Sequence, residues 1–139
     1  MDLRDRLENL ERHIVWAIRD NATFEDVLQS CNLKTDRDLY REIDRDTACQ
    51  YLTRIFYADL AYSCPEMSFD DAFQLANHFL AEFPSDGSRY YSNGTASVAS
   101  PGSLVQLDGW NHVGNATFDW GVLVVGLVRS GCVWAEDED

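Results

Sequence analysis

The stretch that decides the fold is "GVLVVGLVRSGCVWAEDED", residues 121–139. From Val122 to Leu127 both odd and even positions are apolar, which predicts a central strand covered on both faces. Arg129-Ser130-Gly131 then predicts a three-residue hairpin loop, with Gly131 in the left-handed position. On that reading Val128 pairs with Cys132, Gly126 faces Trp134, and Val124 faces Glu136. The indole of Trp134 would cover the backbone left bare by Gly126. The last strand would then run on into the acids and hold at least Glu136 in a defined place.

Upstream of this hairpin, the composition changes at Pro84. Residues 85–102 are rich in Ser, Gly and Asn, and "YYSNGT" contains an Asn93-Gly94 pair, a hairpin-turn signal. Further strands are expected at Ser103–Leu107, Trp110–Val113, Thr117–Val128 and Cys132–Ala135. Before Pro84 the pattern is helical. Leu3, Leu7, Leu10, Ile14 and Ile18 recur at spacings of three and four, which predicts one helix over residues 2–20. "TFED" from Thr23, "TDRD" from Thr35, "TACQ" from Thr47 and "SFDD" from Ser68 each fit a helix N-cap followed by a side chain that can reach back. The helix after Thr47 should bury Ala48, Tyr51, Leu52, Ile55 and Phe56. The helix after Ser68 should bury Phe69, Ala72, Phe73, Ala76, Leu80 and Phe83. The fold class expected is α+β in a single domain, residues 1–139. An N-terminal layer of about four helices (1–84) would pack on a small C-terminal antiparallel sheet (85–139) that ends in a β-hairpin.

Charge narrows the function classes. The chain carries 24 acids against 11 bases, a formal net charge of -13, and Lys34 is its one lysine. With 45% hydrophobic residues this acidity does not signal disorder. It argues against direct contact with nucleic acid, whose phosphates it would repel. The charged start, "MDLRDRLENLERH", has no apolar signal region, and no apolar run reaches the ~20 residues a membrane span needs. A cytoplasmic protein without membrane contact is expected. Cys31, Cys49, Cys64 and Cys132 have no Cys-x-x-Cys spacing and read as buried free thiols. No cofactor or metal site is expected, because no spacing resembles an EF-hand and no nucleotide or zinc motif occurs.

The candidate binding residues are acids and aromatics. Glu136, Asp137, Glu138 and Asp139 are the densest charge in the chain. Glu136 and Asp137 are expected to be ordered at the end of a strand, and deleting residues 136–139 should weaken partner binding more than folding, since exposed charges contribute little to folding. Asp70 and Asp71 belong to a base-free span between Arg54 and Arg89 that also holds Asp59, Glu66, Glu82 and Asp86, which suggests a negative face. Tyr91 and Trp110 lie beside turn residues and are the aromatics expected at the surface, where they could anchor a partner. The reading that follows is a non-enzymatic acidic protein that engages a basic protein partner, for example an immunity or inhibitor protein neutralising a toxin. Two alternatives stand beside it. One is a nucleic-acid mimic that occupies a DNA-binding site. The other is a small enzyme using Asp108, His112 and Asp119, an Asp–His arrangement that could act as a general base.

Overall fold

The computed structural model describes residues 2–98 and 104–138. Their helices all lie in the N-terminal part but are mixed there with two strands, which corrects the expected division into a helical N-terminal layer and a C-terminal sheet. In order they are α1 (Leu3–Glu8), β1 (Ile14–Asp20), α2 (Phe24–Ser30), a single 3₁₀ turn (Arg37–Leu39), β2 (Arg41–Ile43), α3 (Arg45–Tyr57), α4 (Phe69–Leu80), β3 (Arg89–Ser92), β4 (Gly94–Val98), β5 (Val105–Trp110), β6 (Phe118–Val125) and β7 (Arg129–Asp137). Five strands form one antiparallel sheet in the order β1-β7-β6-β3-β2, while β4 and β5 pair apart from it as a two-stranded ribbon. Thus β1 and β2, from the first half of the chain, become the two edges of the main sheet.

The helix expected over residues 2–20 stops at Asn9, the C-cap of α1. Leu3 and Leu7 are buried as helical neighbours, but Ile14–Ile18 is an uninterrupted apolar run that supplies both faces of a strand. Ile14, Trp16 and Ile18 face the core that holds α3 and α4. Val15 and Ala17 face the core that holds α2. Residues four apart share a face in both a helix and a strand, so Leu10, Ile14 and Ile18 fit either template.

The main sheet is covered on both sides. One face carries α3, α4 and α1, with Trp120, Val122, Val124 and Val133 pointing into that layer. The other carries α2 and the Tyr40 segment, against Leu123, Cys132 and Trp134. The expected central strand is present: Val122, Leu123 and Val124 of β6 have no exposed surface. Apolar burial of this kind stabilises by roughly 25 cal/mol per Å² removed from water. Leu127 and Val128, by contrast, lie at the hairpin tip and are exposed.

The hairpin register differs from the expected one. Val125 pairs with Ser130 and Gly121 pairs with Trp134, so Arg129–Gly131 is strand and residues 126–128 make the connection. Ser130 accounts for this. Its buried hydroxyl accepts from the Gly126 amide at 3.2 Å and donates to the Ala22 carbonyl at 3.1 Å, which holds it inside the sheet. Gly131 has no positive φ; a Cβ there would lie 2.6 Å from the Phe83 ring.

Local caps explain the other boundaries. Thr23 and Asp26 form a reciprocal capping box, and Ser68 caps α4 through Asp71. The cap of α3 is Asp44 and not Thr47; its carboxylate accepts from the Thr47 amide at 2.7 Å. Thr35 starts no α-helix, because the chain turns once at Arg37–Leu39 and enters β2. Asn93-Gly94 makes no hairpin either: β3 and β4 belong to different sheets, and Asn93 is buried between them. Among the described residues no helix is long and apolar enough to cross a membrane.

Candidate functional site

The end of β7 meets three loops at one corner of the sheet. Phe118 and Asp119, at the start of β6, pair with Asp137 and Glu136. Asp119 is fully buried and organises the corner. Its carboxylate accepts from Asn93 Nδ2 at 2.7 Å, from the Val113 amide at 3.2 Å and from Trp134 Nε1 at 3.4 Å. It also lies 3.4 Å from His112 Nδ1, whose side chain is 56% exposed. Asn93 extends the network, donating to the carbonyls of Asn111 and Asp119 and accepting from the Gly121 amide.

Sequence spacing suggested a general base from Asp108, His112 and Asp119. The structure brings His112 and Asp119 together and sends Asp108 elsewhere, to accept from Ser97 Oγ at 3.1 Å. The Asp119 oxygens are occupied by donors that hold the fold, so the pair anchors His112 to the corner. Among the described residues no group of three or more His, Cys, Asp or Glu side chains is placed to hold a metal ion.

The terminal acids have separate environments. Asp137 turns inward: Oδ2 accepts from the Leu60 amide at 2.7 Å and lies 3.8 Å from Arg12 Nη2, with only 5% of the Arg12 side chain exposed. Arg12 also donates to the carbonyls of Ile55, in the last turn of α3, and of Ala58, its C-cap. Asp137 is therefore ordered at the end of β7 and tied to the fold, so a deletion of residues 136–139 removes a structural contact along with exposed charge. Glu138 is exposed and accepts from the Thr117 amide and hydroxyl. Asp139 lies outside the described residues.

Glu136 is half-buried, with its carboxylate against the backbone of Gly114, where no side chain intervenes. Burial, and then the charge of Asp119, push its pKa up; a bond from the Asn115 backbone and the nearby His13 oppose this. A raised carboxyl pKa means that the folded state holds the proton more tightly than the unfolded chain. Stability from this group therefore falls as pH rises from the ordinary glutamate value of 4.5 through the higher folded value. Glu136→Gln keeps an acceptor for Asn115 and removes that penalty. It should melt higher than the parent at neutral pH and lose the advantage in acid. Melting curves across pH decide the matter, and a lower melting temperature for Gln at neutral pH would count against this account.

Trp110 stands beside this corner. Its ring is 5.3 Å from Phe118 and 5.8 Å from His112, and its buried indole N–H has no acceptor among the described residues. Trp110 thus packs on Phe118, the strand partner of Asp137. Tyr91 is not part of this group: its ring packs edge-on against Phe24 at 5.3 Å, on the α2 face. Trp110 and Tyr91 are both half-buried, less open than the sequence suggested.

Asp70 and Asp71 form a second patch, in the exposed first turn of α4. Sequence periodicity places Phe69 and Phe73 in the core, yet both are exposed, at 47% and 46%. Their rings stack on the outside with centroids 6.1 Å apart. They line a cavity of about 520 Å³ between α3, α4 and the ribbon, with Arg45, Asp46, Cys49 and Asn77. A signal was available, because the apolar stripe on α4 is wider than the ~100° one buried face needs. Asp59, Glu82 and Asp86 of the base-free span do not make one face with this patch. Asp59 bonds the amides of Tyr62 and Cys64, Glu82 pairs with Arg129, and Asp86 lies beyond the opposite end of α4.

Comparison with protein-family models, curated proteins and solved structures finds no match for the chain.

Proposed function

We propose that this chain is a non-enzymatic acidic protein that binds a basic protein partner, in the manner of an immunity or inhibitor protein. One observation carries the reading: much of the positive charge is spent on the protein's own backbone. Arg12 and Arg54 donate to carbonyls at the end of α3, and Arg45 donates to the Leu80 and Phe83 carbonyls at the end of α4. Arg4 bonds the Ile18 carbonyl and Arg19 that of Asp26. These arginines bond helix-end and strand carbonyls of the chain itself, the kind of group a helix end leaves open. Many of the acids stay exposed, including Asp2, Asp5, Glu8, Asp46, Asp70, Asp71, Asp108 and Glu138. A surface of that sign steers a basic partner and repels phosphate. A cytoplasmic site of action, without direct nucleic-acid or membrane contact, belongs to the same proposal.

Contacts are assigned to the two places where aromatics stand beside acids. One is the corner where Trp110 packs on Phe118 and Glu138 bonds the adjacent Thr117; the other is Phe69 and Phe73 with Asp70 and Asp71. A nucleic-acid mimic would need carboxylates in rows spaced like phosphates, whereas these acids lie on both helical layers and in loops, which favours a protein partner. The test is capture from the source cell at low and high salt. It uses the parent chain and a variant carrying Asp70→Asn, Asp71→Asn and Glu138→Gln, which leaves the buried acids intact. The partner should be basic, elute with salt, and associate several-fold more slowly with the variant, since exposed charges act mainly on the association rate. Binding indifferent to both salt and variant would end the proposal.

A further inference from the structure

Cys31 closes α2 as its C-cap residue, and Cys132 lies in the middle of β7. They are 101 residues apart in the chain, yet their sulfur atoms are 3.5 Å apart beneath the α2 face of the sheet. Cys132 has no exposed surface, whereas Cys31 keeps 8%. The neighbours of Cys31 on both sides, Gln29, Ser30 and Asn32, are exposed, so a small solute approaches from the Cys31 side. Both residues are free thiols here. A disulfide requires the sulfurs to close to ~2.05 Å, a movement of about 1.5 Å that side-chain rotation can supply.

We propose that Cys31 and Cys132 are a dithiol that hydrogen peroxide converts into a disulfide, covalently fastening the end of α2 to β7. In the first step the Cys31 thiolate attacks one peroxide oxygen; the O–O bond breaks, giving Cys31 sulfenic acid and hydroxide. In the second, the Cys132 sulfur attacks the Cys31 sulfur. The S–O bond breaks, the Cys132 proton goes to the departing oxygen, and water leaves. Two thiols lose two electrons in total, and the peroxide is reduced to two waters. The geometry assigns the roles, because only Cys31 reaches the surface and Cys132 touches it from inside. The electrostatics agree. The bond from Cys132 holds the Cys31 thiol below its ordinary value, while that same bond and burial push Cys132 well up.

The competing thiols are Cys49, half-buried on α3, and Cys64, exposed in the loop after it. The experiment therefore uses the full chain with Cys49→Ser and Cys64→Ser, folded, exposed to hydrogen peroxide and then alkylated. Mass mapping without reductant should find a Cys31–Cys132 peptide lighter by two hydrogens, restored by dithiothreitol. Because the bond closes a long loop, the oxidised protein should melt several degrees higher. Adding Cys132→Ser should stop the reaction at a Cys31 sulfenic acid that dimedone captures. Adding Cys31→Ser should leave Cys132 a thiol, with near-ultraviolet circular dichroism confirming a folded chain in both cases. Two thiols still alkylatable after a peroxide dose that oxidises Cys64 in the parent would overturn the proposal. So would a pair that proceeds only to sulfinic acids, or dimedone capture at Cys132 in place of Cys31.

Discussion

Asp119→Ala should lower the melting temperature by about 15 °C, which corresponds to about 4 kcal/mol for a chain of this size. The Val113 amide and the Trp134 indole N–H both donate to this buried carboxylate. Leaving a buried donor without a partner costs about 1–3 kcal/mol, and here two are stranded together. Asn93 is less affected, since its amide also reaches the carbonyls of Asn111 and Asp119. A folded domain is stable by only ~5–15 kcal/mol, so the loss approaches the whole margin. His112→Ala is the companion measurement. Its ring is largely exposed, and truncating it should change stability by about 0.5 kcal/mol or less. The two variants separate a fold anchor from an acid–base pair. A pair kept for chemistry would show comparable losses of function from either change while Asp119→Ala stayed folded. If Asp119→Ala melts like the parent, the corner is not held in the way its hydrogen bonds indicate.

What could be read in the sequence depended on whether the signal was local. The Thr23 and Ser68 caps lie within three residues of the amides they serve, and both helices start where those side chains indicate. The α3 start moved because Asp44 also sits three residues before an amide, and its carboxylate makes the bond to Thr47. Both-face burial of Val122–Val124 was legible because no polar position interrupts the run. The fold class was not legible, since it turned on β1. There the Ile14–Ile18 run satisfies helical and strand spacing at once, and only pairing with β7, more than a hundred residues away, selects the strand. Asn93-Gly94 read as a turn for a similar reason. Its partners Asn111, Asp119 and Gly121 are distant in the chain, and they hold Asn93 in the interior. Of the candidate site, the nearness of His112 to Asp119 was visible in their spacing. The inward turn of Asp137 was not, because Arg12 and Leu60 reach it from remote segments.

Gly121→Ala should lose about 3 kcal/mol of stability, and it tests the register of the β6–β7 hairpin directly. A Cβ at Gly121 would lie 2.2 Å from Trp134 Cδ2, 2.4 Å from Cε3 and 2.3 Å from the Val133 carbonyl oxygen. The indole cannot easily retreat: it is fully buried, meets Tyr40 edge-on at 5.9 Å, and donates to Asp119. The opposite side is closed too, since Ser92 Oγ donates to the Gly121 carbonyl at 2.7 Å. Overpacking of a filled core costs about 1–3 kcal/mol and sometimes more. Backbone as well as ring stands in the way here, so the upper end is expected. Gly109→Ala is the control, because a Cβ there meets nothing within 4 Å and should change stability by about 0.5 kcal/mol or less. The decisive comparison places Gly121→Ala in a Trp134→Ala background. Removing the indole takes away one of the two obstacles and leaves the Val133 carbonyl, so Gly121→Ala should do less damage there than in the parent. Contacting residues couple in this way, by about 0.5–3 kcal/mol. Equal losses in both backgrounds would mean that Trp134 does not cover Gly121, and the strands would have to be paired in some other register.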